Sequence, residues 1–250
     1  MVKNKNKNKI KLSDVTLVAV ATTKIKETIS ALEYSMQSID YEDILLITNT
    51  NIKSNDYRTA KINSFNSVSD WGEFIVFKLH NYIKTNYILL IHHDGFVVNP
   101  SSWDKHFLNY DYIGAPWPIS KDGFSYLDNK KNIIRVGNSV SLRSKRLLEL
   151  PSKLDLSWHN LDHGFFHEDG FLCVQSREVL LKNDIKFAPY EIAKFFSREY
   201  TFSDNKHLKP FVFHKWYGEN RFFPCFEQKN IYERLKFFIK NMYLTIKFYV

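Results

Sequence analysis

The sequence predicts an α/β protein with a parallel sheet, and two apolar strands joined by an amphipathic helix carry this prediction. The run VTLVAVAT at residues 15–22 is continuously apolar, which is typical of a strand buried on both faces. KIKETISALEYSMQSI follows with its apolar residues at helical spacing, and EDILLIT at residues 42–48 supplies a second strand. A strand, a helix and a strand in this order form a β-α-β unit, whose two strands lie parallel.

A second helix and a third strand continue this pattern. WGEFIVFKLHNYIKT at residues 71–85 has the helical period, and YILLIHH at residues 87–93 is the third strand. We therefore expect three strands of a doubly wound sheet in this part of the chain. Because ligands bind at the carboxyl ends of the strands in such sheets, the HHDG motif at residues 92–95 lies where a site is expected.

Length and composition predict one folded domain with basic ends. The chain has 250 residues, of which 44% are hydrophobic and 25% charged, as in ordinary globular proteins. We expect a disordered basic lead-in at residues 1–13, a domain at 14–228 and a basic amphipathic C-terminal helix at 229–250. The net charge of +8 predicts an anionic partner, which could be nucleic acid, a phosphorylated small molecule or a membrane face. Since we find neither a secretory signal nor an apolar run of ~20 residues, we expect a cytoplasmic protein.

The polar residues that follow the third strand are candidate metal ligands. Residues two apart on a strand share a face, so His92 and Asp94 would point one way and His93 the other. A carboxylate and an imidazole can bind a divalent cation, and Gly95 allows a sharp turn or the close approach of a ligand. The alternative is a simple turn with solvated or packed histidines. His214, in the apolar run PFVFHKWYG, is either a structural residue or a third ligand.

Two adjacent carboxylates, Glu168 and Asp169, are candidate catalytic groups. They lie in FFHEDGF at the expected N-terminus of a helix, where the helix dipole favours negative charge, so helix capping is one interpretation. The other is a general base that accepts a proton from an attacking hydroxyl. The two interpretations do not exclude each other.

Several familiar motifs are missing from the sequence. VGNSVSLRSKRLLEL at residues 136–150 predicts a strand, a Gly-Asn turn and the start of a helix, but it lacks the Gly-Lys-Ser/Thr end of a P-loop. No G-x-G-x-x-G follows the first strand, and no G-x-S-x-G is present. These absences argue against a P-loop NTPase, a dinucleotide-binding enzyme and an α/β-hydrolase.

The order of these motifs resembles that of GT-A glycosyltransferases. In addition, DYIGAPW at residues 111–117 and SLRS at residues 141–144 resemble segments of an uncharacterised bacterial and viral family found among glycan-biosynthesis genes. The resemblance covers roughly residues 14–220. It implies a single GT-A-like, Rossmann-like nucleotide-binding domain with a mixed, mostly parallel sheet flanked by helices.

The resemblance also implies a metal-dependent, inverting hexosyltransferase. Mn²⁺ or Mg²⁺ would be held by Asp94 with His214 and His92, and it would bind the diphosphate of a nucleotide-sugar donor, expected to be a UDP-sugar. Asp169 would deprotonate the acceptor hydroxyl, and Glu168 would hold the acceptor sugar. The other residues implied at the donor are Val20, Ala21, Thr22, Thr23, Asp70, Trp71, Lys78, His93 and Gly95.

Within this scheme the domain divides into two halves. Residues 14–98 would bind the nucleotide sugar, and residues 99–228 would bind a glycan or lipid-linked acceptor, as in lipopolysaccharide synthesis. The aromatic loop at residues 110–117 would form a platform for the acceptor sugar. No nucleic-acid partner is expected.

Two functions of other classes stay open from the residues alone. A metal-dependent phosphoesterase or nuclease would use the His-His-Asp motif and the positive charge. A non-catalytic adaptor on a membrane or nucleic acid would use the C-terminal helix. The apolar stripe of that helix consists of Leu235, Phe238, Ile239, Met242 and Ile246, flanked by Lys236, Lys240 and Lys247. Such a stripe can lie on an anionic membrane, at the inner face for a cytoplasmic protein, but the preferred alternative is that it packs on the core.

Overall fold

A mixed six-stranded sheet forms the centre of the protein, in a computed structural model that describes residues 9–119, 126–128, 130–158, 167–227 and 231–249. The strands are β1 (Ile10–Ala21), β2 (Ile39–Thr48), β3 (Arg58–Lys61), β4 (Tyr87–Ile91), β5 (Tyr112–Pro116) and β6 (Val136–Ser144), with a separate small sheet of β7 (Ser197–Arg198) and β8 (Val212–Phe213). The order is β3-β2-β1-β4-β6-β5, with β6 antiparallel to both neighbours and the other pairs parallel. The predicted α/β class with a mixed, mostly parallel sheet is confirmed.

Helices flank the sheet. They are α1 (Ile25–Met36), α2 (Val68–Phe77), α3 (Lys145–Lys153), α4 (Glu168–Gly170), α5 (Arg177–Lys182), α6 (Tyr190–Phe196) and α7 (Ile231–Tyr249), and a π-helical segment (Phe171–Gln175) continues α4. Short 3₁₀ turns lie at Leu79–Tyr82, Pro100–Ser102, Lys105–Asn109 and Gly218–Phe222. Among the described residues, none of the helices combines the length and apolar character needed to cross a membrane.

The strand β1 is buried on both faces, as its apolar run predicts. Leu17 and Ala19 face a core shared with α1, while Val18 and Val20 face a second core shared with α2. None of the four side chains is more than 5% exposed. Because helices cover both faces of this strand, a ligand can reach the sheet only at the strand ends.

The first strand begins earlier than predicted, so the expected lead-in at residues 1–13 is too long. Ile10 pairs with Ile39 and Leu12 pairs with Tyr41, and the side chain of Leu12 is buried. The alternation of apolar residues with lysines here is a strand pattern, which the low-complexity composition obscures. Residues 1–8 lie outside the described residues.

Two predicted features of the segment 110–150 are wrong. The Gly137–Asn138 pair does not form a turn between two elements but lies inside β6, where Gly137 pairs with Ala115 of β5. Asn138 has a φ of 90°, and its side-chain oxygen accepts a hydrogen bond from the backbone N–H of Val140 at 3.0 Å. The aromatic loop is mostly the buried strand β5, because β6 pairs with it on both sides of an irregularity between Ile113 and Ala115.

The C-terminal helix α7 exists as predicted, but its apolar stripe does not pack on the core. Leu235, Phe238, Ile239 and Met242 are each more than half exposed. The helix contacts the domain through another face, on which Phe237 packs against the core and Asn241 is buried. The preferred prediction, that the apolar stripe packs on the core, is therefore wrong for these four residues. The side chains of Ile246 and Lys247 lie outside the described part of the helix.

Candidate functional site

A cleft of about 960 Å³ opens at the carboxyl ends of β1 and β4. These two strands are parallel and β6 is antiparallel to β4, so the ends of β1 and β4 and the first residues of β6 meet at one edge of the sheet. Eleven residues predicted to act in catalysis, metal binding or donor binding line this cleft. They are Val20, Ala21, Thr22, Thr23, Trp71, His92, His93, Asp94, Glu168, Asp169 and His214.

The HHDG motif is a tight turn that immediately follows β4. The backbone N–H of His92 donates to the carbonyl oxygen of Gly95 at 2.7 Å, and that of Gly95 donates back at 3.3 Å. A Cβ atom on Gly95 would lie 2.5 Å from Cγ2 of Val140 and 2.7 Å from the carbonyl oxygen of Phe213. Gly95 therefore allows the turn to pack closely on β8, and it does not line the cleft.

This turn brings His92 and Asp94 together with His214, which directly follows β8. One ligand atom from each residue lies within 4.8 Å of the other two. Nε2 of His92, Oδ1 of Asp94 and both ring nitrogens of His214 are buried and have no hydrogen-bond partner in the described chain. Because buried polar atoms without partners are costly, a bound cation would satisfy atoms that the protein leaves unsatisfied. The turn and metal-site interpretations of HHDG are thus compatible.

The chemistry of this donor set fits a transition-metal cation. Two imidazoles and one carboxylate suit Mn²⁺ or Zn²⁺, whereas Mg²⁺ prefers an octahedral shell of oxygen atoms. Burial and the neighbouring His214 lower the pKa of His92 well below its usual value, so its ring is neutral, as ligation requires. Trp71 holds this ring edge-on at a centroid distance of 5.1 Å, and its Nε1 donates to the carbonyl oxygen of Val20 at 2.9 Å.

Positive groups keep Asp94 ionised although it is only 5% exposed. Nζ of Lys215 donates to Oδ2 of Asp94 at 2.5 Å, and Nε2 of His214 lies 3.6 Å from Oδ1. Burial raises the pKa of Asp94, but His214 and Lys215 outweigh burial and hold this pKa well below its usual value. One carboxylate oxygen is thus bound to a lysine, and the other lies near His214 and near Nδ1 of His93, which is 3.7 Å away.

Glu199 is a site residue that the sequence analysis missed. Its Oε1 lies 3.5 Å from Nδ1 of His214, and its Oε2 accepts a hydrogen bond from Nδ2 of Asn138 at 2.7 Å. Burial and Lys215 lower the pKa of His214, but Asp94 and Glu199 raise it further, to about 9. Glu199 directly follows β7 and His214 directly follows β8. Since β7 and β8 are parallel neighbours, their pairing brings the two residues together. Because the pKa of His214 is raised, its ring must release a proton when it binds a cation.

The two carboxylates of the acidic pair, Glu168 and Asp169, differ in burial and in hydrogen-bond partners. Glu168 is 1% exposed, and its Oε1 accepts a hydrogen bond from Nη2 of the fully buried Arg143 at 2.9 Å. Asp169 is half-buried and its Oδ1 accepts from the backbone N–H of Gly170 at 2.9 Å. Burial, followed by the charge of Glu168, raises the pKa of Asp169 to about 7. Neither carboxylate caps the first turn of α4 from the N-cap position, which His167 occupies.

We expect Arg143→Met to destabilise the protein by about 3–5 kcal/mol, because it leaves the Glu168 carboxylate buried without its cation. Urea unfolding measures this change. The double variant Arg143→Met/Glu168→Leu should recover most of the loss, since it removes both charges. Arg58→Met is the matched control. It breaks a partly exposed ion pair with Asp43 and should cost less than about 1 kcal/mol. Equal losses in Arg143→Met and Arg58→Met would contradict this account of Glu168.

Aromatic side chains form another part of the cleft wall. Trp117 stacks on Tyr126 with ring centroids 4.2 Å apart, and Tyr200 lines the same cleft. The indole lies directly on the backbone of β6, since a Cβ atom on Gly137 would be 2.0 Å from Trp117. Of the predicted aromatic platform at residues 110–117, Trp117 lines the cleft, whereas Tyr112 is fully buried below it.

Besides Gly95, two further predicted donor-binding residues lie outside the cleft. Asp70 accepts hydrogen bonds from the hydroxyl of Ser67 at 2.8 Å and from the backbone N–H of Asn66 at 2.9 Å, so it caps the start of α2. Lys78 ends α2 and lines, with Asp70, a separate shallow groove. In the sequence a carboxylate that caps a helix cannot be told from one that contacts a ligand.

Comparison with known proteins gives one family and a set of distant structures. A structure of an active-site mutant of LgtC is 9% identical, with a TM-score of 0.48, and a structure of the galactosyltransferase LgtC with donor and acceptor sugar analogs is 12% identical, with a TM-score of 0.46. In each case the similarity covers 80% of this chain and 86% of the other. No curated protein matches the sequence. Residues 56–214 match the model of a family described as a protein of unknown function, DUF5672, and the chain belongs to this family.

Proposed function

We propose that this protein is a metal-dependent, inverting glycosyltransferase that moves a sugar from a nucleotide-diphosphate donor to a glycan or lipid-linked acceptor. One observation carries the proposal. The His92–Asp94–His214 cluster and the half-buried Asp169 line the same cleft, at the carboxyl ends of the parallel strands β1 and β4, where nucleotides bind in α/β proteins. The resemblance of the sequence to GT-A enzymes supports the same reaction.

The His92–Asp94–His214 cluster would stabilise the leaving group. A divalent cation held by His92, Asp94 and His214 would stabilise the negative charge that develops on the departing nucleotide diphosphate. The donor set favours Mn²⁺ over Mg²⁺ for this role. Lys215 holds Asp94 in its ionised form through the contact at Oδ2, which leaves Oδ1 directed at the histidines.

Asp169 would act on the acceptor. Its carboxylate takes the proton of the acceptor hydroxyl while the hydroxyl oxygen forms a bond to the anomeric carbon of the donor sugar. The bond from that carbon to the diphosphate breaks, and its electron pair leaves with the nucleotide. This single displacement inverts the anomeric carbon. A pKa of about 7 suits a base at neutral pH, because the carboxylate is ionised yet basic enough to take the proton.

The two sides of the cleft suit the two substrates. Residues 20–23 form the carboxyl end of β1 and the start of the segment after it, beside Phe65 and Trp71. They offer backbone groups, and the two rings offer aromatic faces, to a nucleotide such as UDP. Trp117, Tyr126 and Tyr200 supply further aromatic faces, on which the apolar face of a sugar ring can stack. In this assignment residues 14–98 form the donor half and residues 99–228 the acceptor half.

A thermal-shift screen of the purified protein tests this function. The ligands are UDP, GDP and CDP, each alone and with Mn²⁺ or Mg²⁺. We expect one nucleotide to raise Tm only together with the cation, and Mn²⁺ to be more effective than Mg²⁺, because a ligand that binds only the folded state stabilises it. The matching nucleotide sugar is then assayed for hydrolysis and for transfer to sugar acceptors. The proposal fails if no nucleotide binds with any cation. Metal-dependent phosphate release from nucleic acid would instead indicate a phosphoesterase.

A further inference from the structure

The helix α7 carries a continuous exposed apolar face. Six large side chains on it are between 52% and 66% exposed, and this set is named the α7 face. Its members are Tyr232, Leu235, Phe238, Ile239, Met242 and Tyr243. At 3.6 residues per turn the six positions fall within an arc of about 140° on one side of the helix. An apolar surface of this size exposed to water indicates an interaction site.

The orientation of this face is set by contacts on another side of the helix. Oδ1 of Asn241 accepts a hydrogen bond from the backbone N–H of Gly218 at 2.9 Å, and its Nδ2 donates to the carbonyl oxygen of Trp216 at 3.1 Å. Phe237 packs against the core at the same side. The α7 face is therefore held outward, and the helix cannot bury it by rotating.

Cationic side chains lie over aromatic rings on α7 and on the 3₁₀ turn Gly218–Phe222 that contacts it. Nζ of Lys236 lies 4.6 Å from the ring centroid of Tyr232, and the guanidinium of Arg221 lies 4.5 Å from the ring of Phe222. Phe222 itself is 71% exposed, and Nζ of Lys240 lies 4.9 Å from the ring centroid of Tyr217. Long cationic side chains next to tyrosine and phenylalanine are typical of helices at a lipid headgroup boundary. The net charge of +8 adds attraction to an anionic surface.

We propose that the α7 face docks the protein on an anionic membrane surface, with the helix lying in the plane of the headgroups. The apolar residues would enter the acyl boundary, while Lys236 and Lys240 contact lipid phosphates. A second copy of the chain fits less well, because pairing two such faces brings their lysines together. This docking does not depend on the proposed transferase activity.

Docking in this way would bring the lipid surface near the segment that carries His214 and Lys215. Trp216 and Gly218, the two residues that hold Asn241, follow His214 and Lys215 of the site by only a few positions. If the acceptor is lipid-linked, its headgroup would reach the cleft without leaving the membrane. This consequence rests on the proposed function, whereas the membrane contact itself does not.

Vesicle flotation of the full chain tests the docking. We expect the protein to float with vesicles of phosphatidylcholine and phosphatidylglycerol, and to bind at least about 10-fold less to phosphatidylcholine alone or at 1 M salt. Phe238→Ser/Ile239→Ser should lower binding by about 10-fold or more, since it removes two exposed apolar side chains that would enter the acyl boundary. Lys236→Ser/Lys240→Ser should weaken binding to the anionic vesicles and leave binding to phosphatidylcholine vesicles unchanged.

The matched control is Leu181→Ser/Phe195→Ser, which removes two similarly exposed apolar side chains from α5 and α6 and should bind vesicles as the wild type does. Sedimentation equilibrium of the same variants measures whether the chain forms a dimer. The proposal is overturned if Phe238→Ser/Ile239→Ser floats like the wild type, or if the control loses binding equally. It is also overturned if the wild type binds no vesicles and instead forms a dimer that Phe238→Ser/Ile239→Ser dissociates. None of these outcomes depends on sugar transfer.

Discussion

Asp94→Ala is expected to lower the metal-dependent turnover by about 100-fold to 1000-fold. The reason is that Asp94 supplies the only carboxylate among the three clustered ligands found in the described residues. Without it, the two histidines and the nearby Lys215 would face the cation with no carboxylate ligand among the three residues of the cluster. Turnover is measured with the nucleotide sugar that the thermal-shift screen identifies, and Mn²⁺ affinity is measured by calorimetry.

The design needs a fold control, because Asp94 is buried against Lys215. Asp94→Asn keeps the shape of the side chain, and circular dichroism compares its melting with that of the wild type. Asp56→Ala removes an exposed carboxylate from the loop before β3 and should leave both turnover and Mn²⁺ binding unchanged. If folded Asp94→Asn still binds Mn²⁺ with wild-type affinity, Asp94 is not a metal ligand.

Asp169→Asn is expected to reduce turnover by about 100-fold to 10,000-fold while donor and Mn²⁺ binding stay unchanged. The amide fills the same space but cannot accept a proton from the acceptor. In the wild type, the pKa of about 7 predicts that turnover rises with pH through this value, since the base is protonated below it and ionised above it. The variant should lose this rise. Steady-state kinetics between pH 5.5 and 8.5, a range of about three units around this pKa, provide the measurement.

A matched aspartate elsewhere separates the loss of the base from a general effect. Asp155→Asn changes an exposed aspartate after α3 and should keep both the turnover and its pH profile. The role of Asp169 would be refuted by an Asp169→Asn enzyme that transfers sugar at the wild-type rate. A loss of donor binding in this variant would show that Asp169 holds the donor instead.

Much of the fold follows from local patterns, whereas the boundaries of its irregular parts do not. The apolar runs of β1, β2 and β4 and the helical spacing of α1 and α2 are features of neighbouring residues, so the sequence predicts them directly. The short strand β3 was missed, because Arg58–Lys61 contains one apolar residue and its strand conformation depends on pairing with β2. Likewise, Gly137–Asn138 has the composition of a turn, yet pairing with β5 draws it into a strand.

The sequence by itself determined the α/β architecture and the placement of a polar motif at the end of a buried strand, because periodicity and strand ends are local properties of the chain. Tertiary structure decided which side chains meet there. Glu199 reaches His214 through the pairing of β7 with β8, and Arg143 of β6 reaches Glu168 across the interior. It also decided that the α7 face is exposed, since an amphipathic pattern shows that a helix has an apolar side and leaves open what that side contacts.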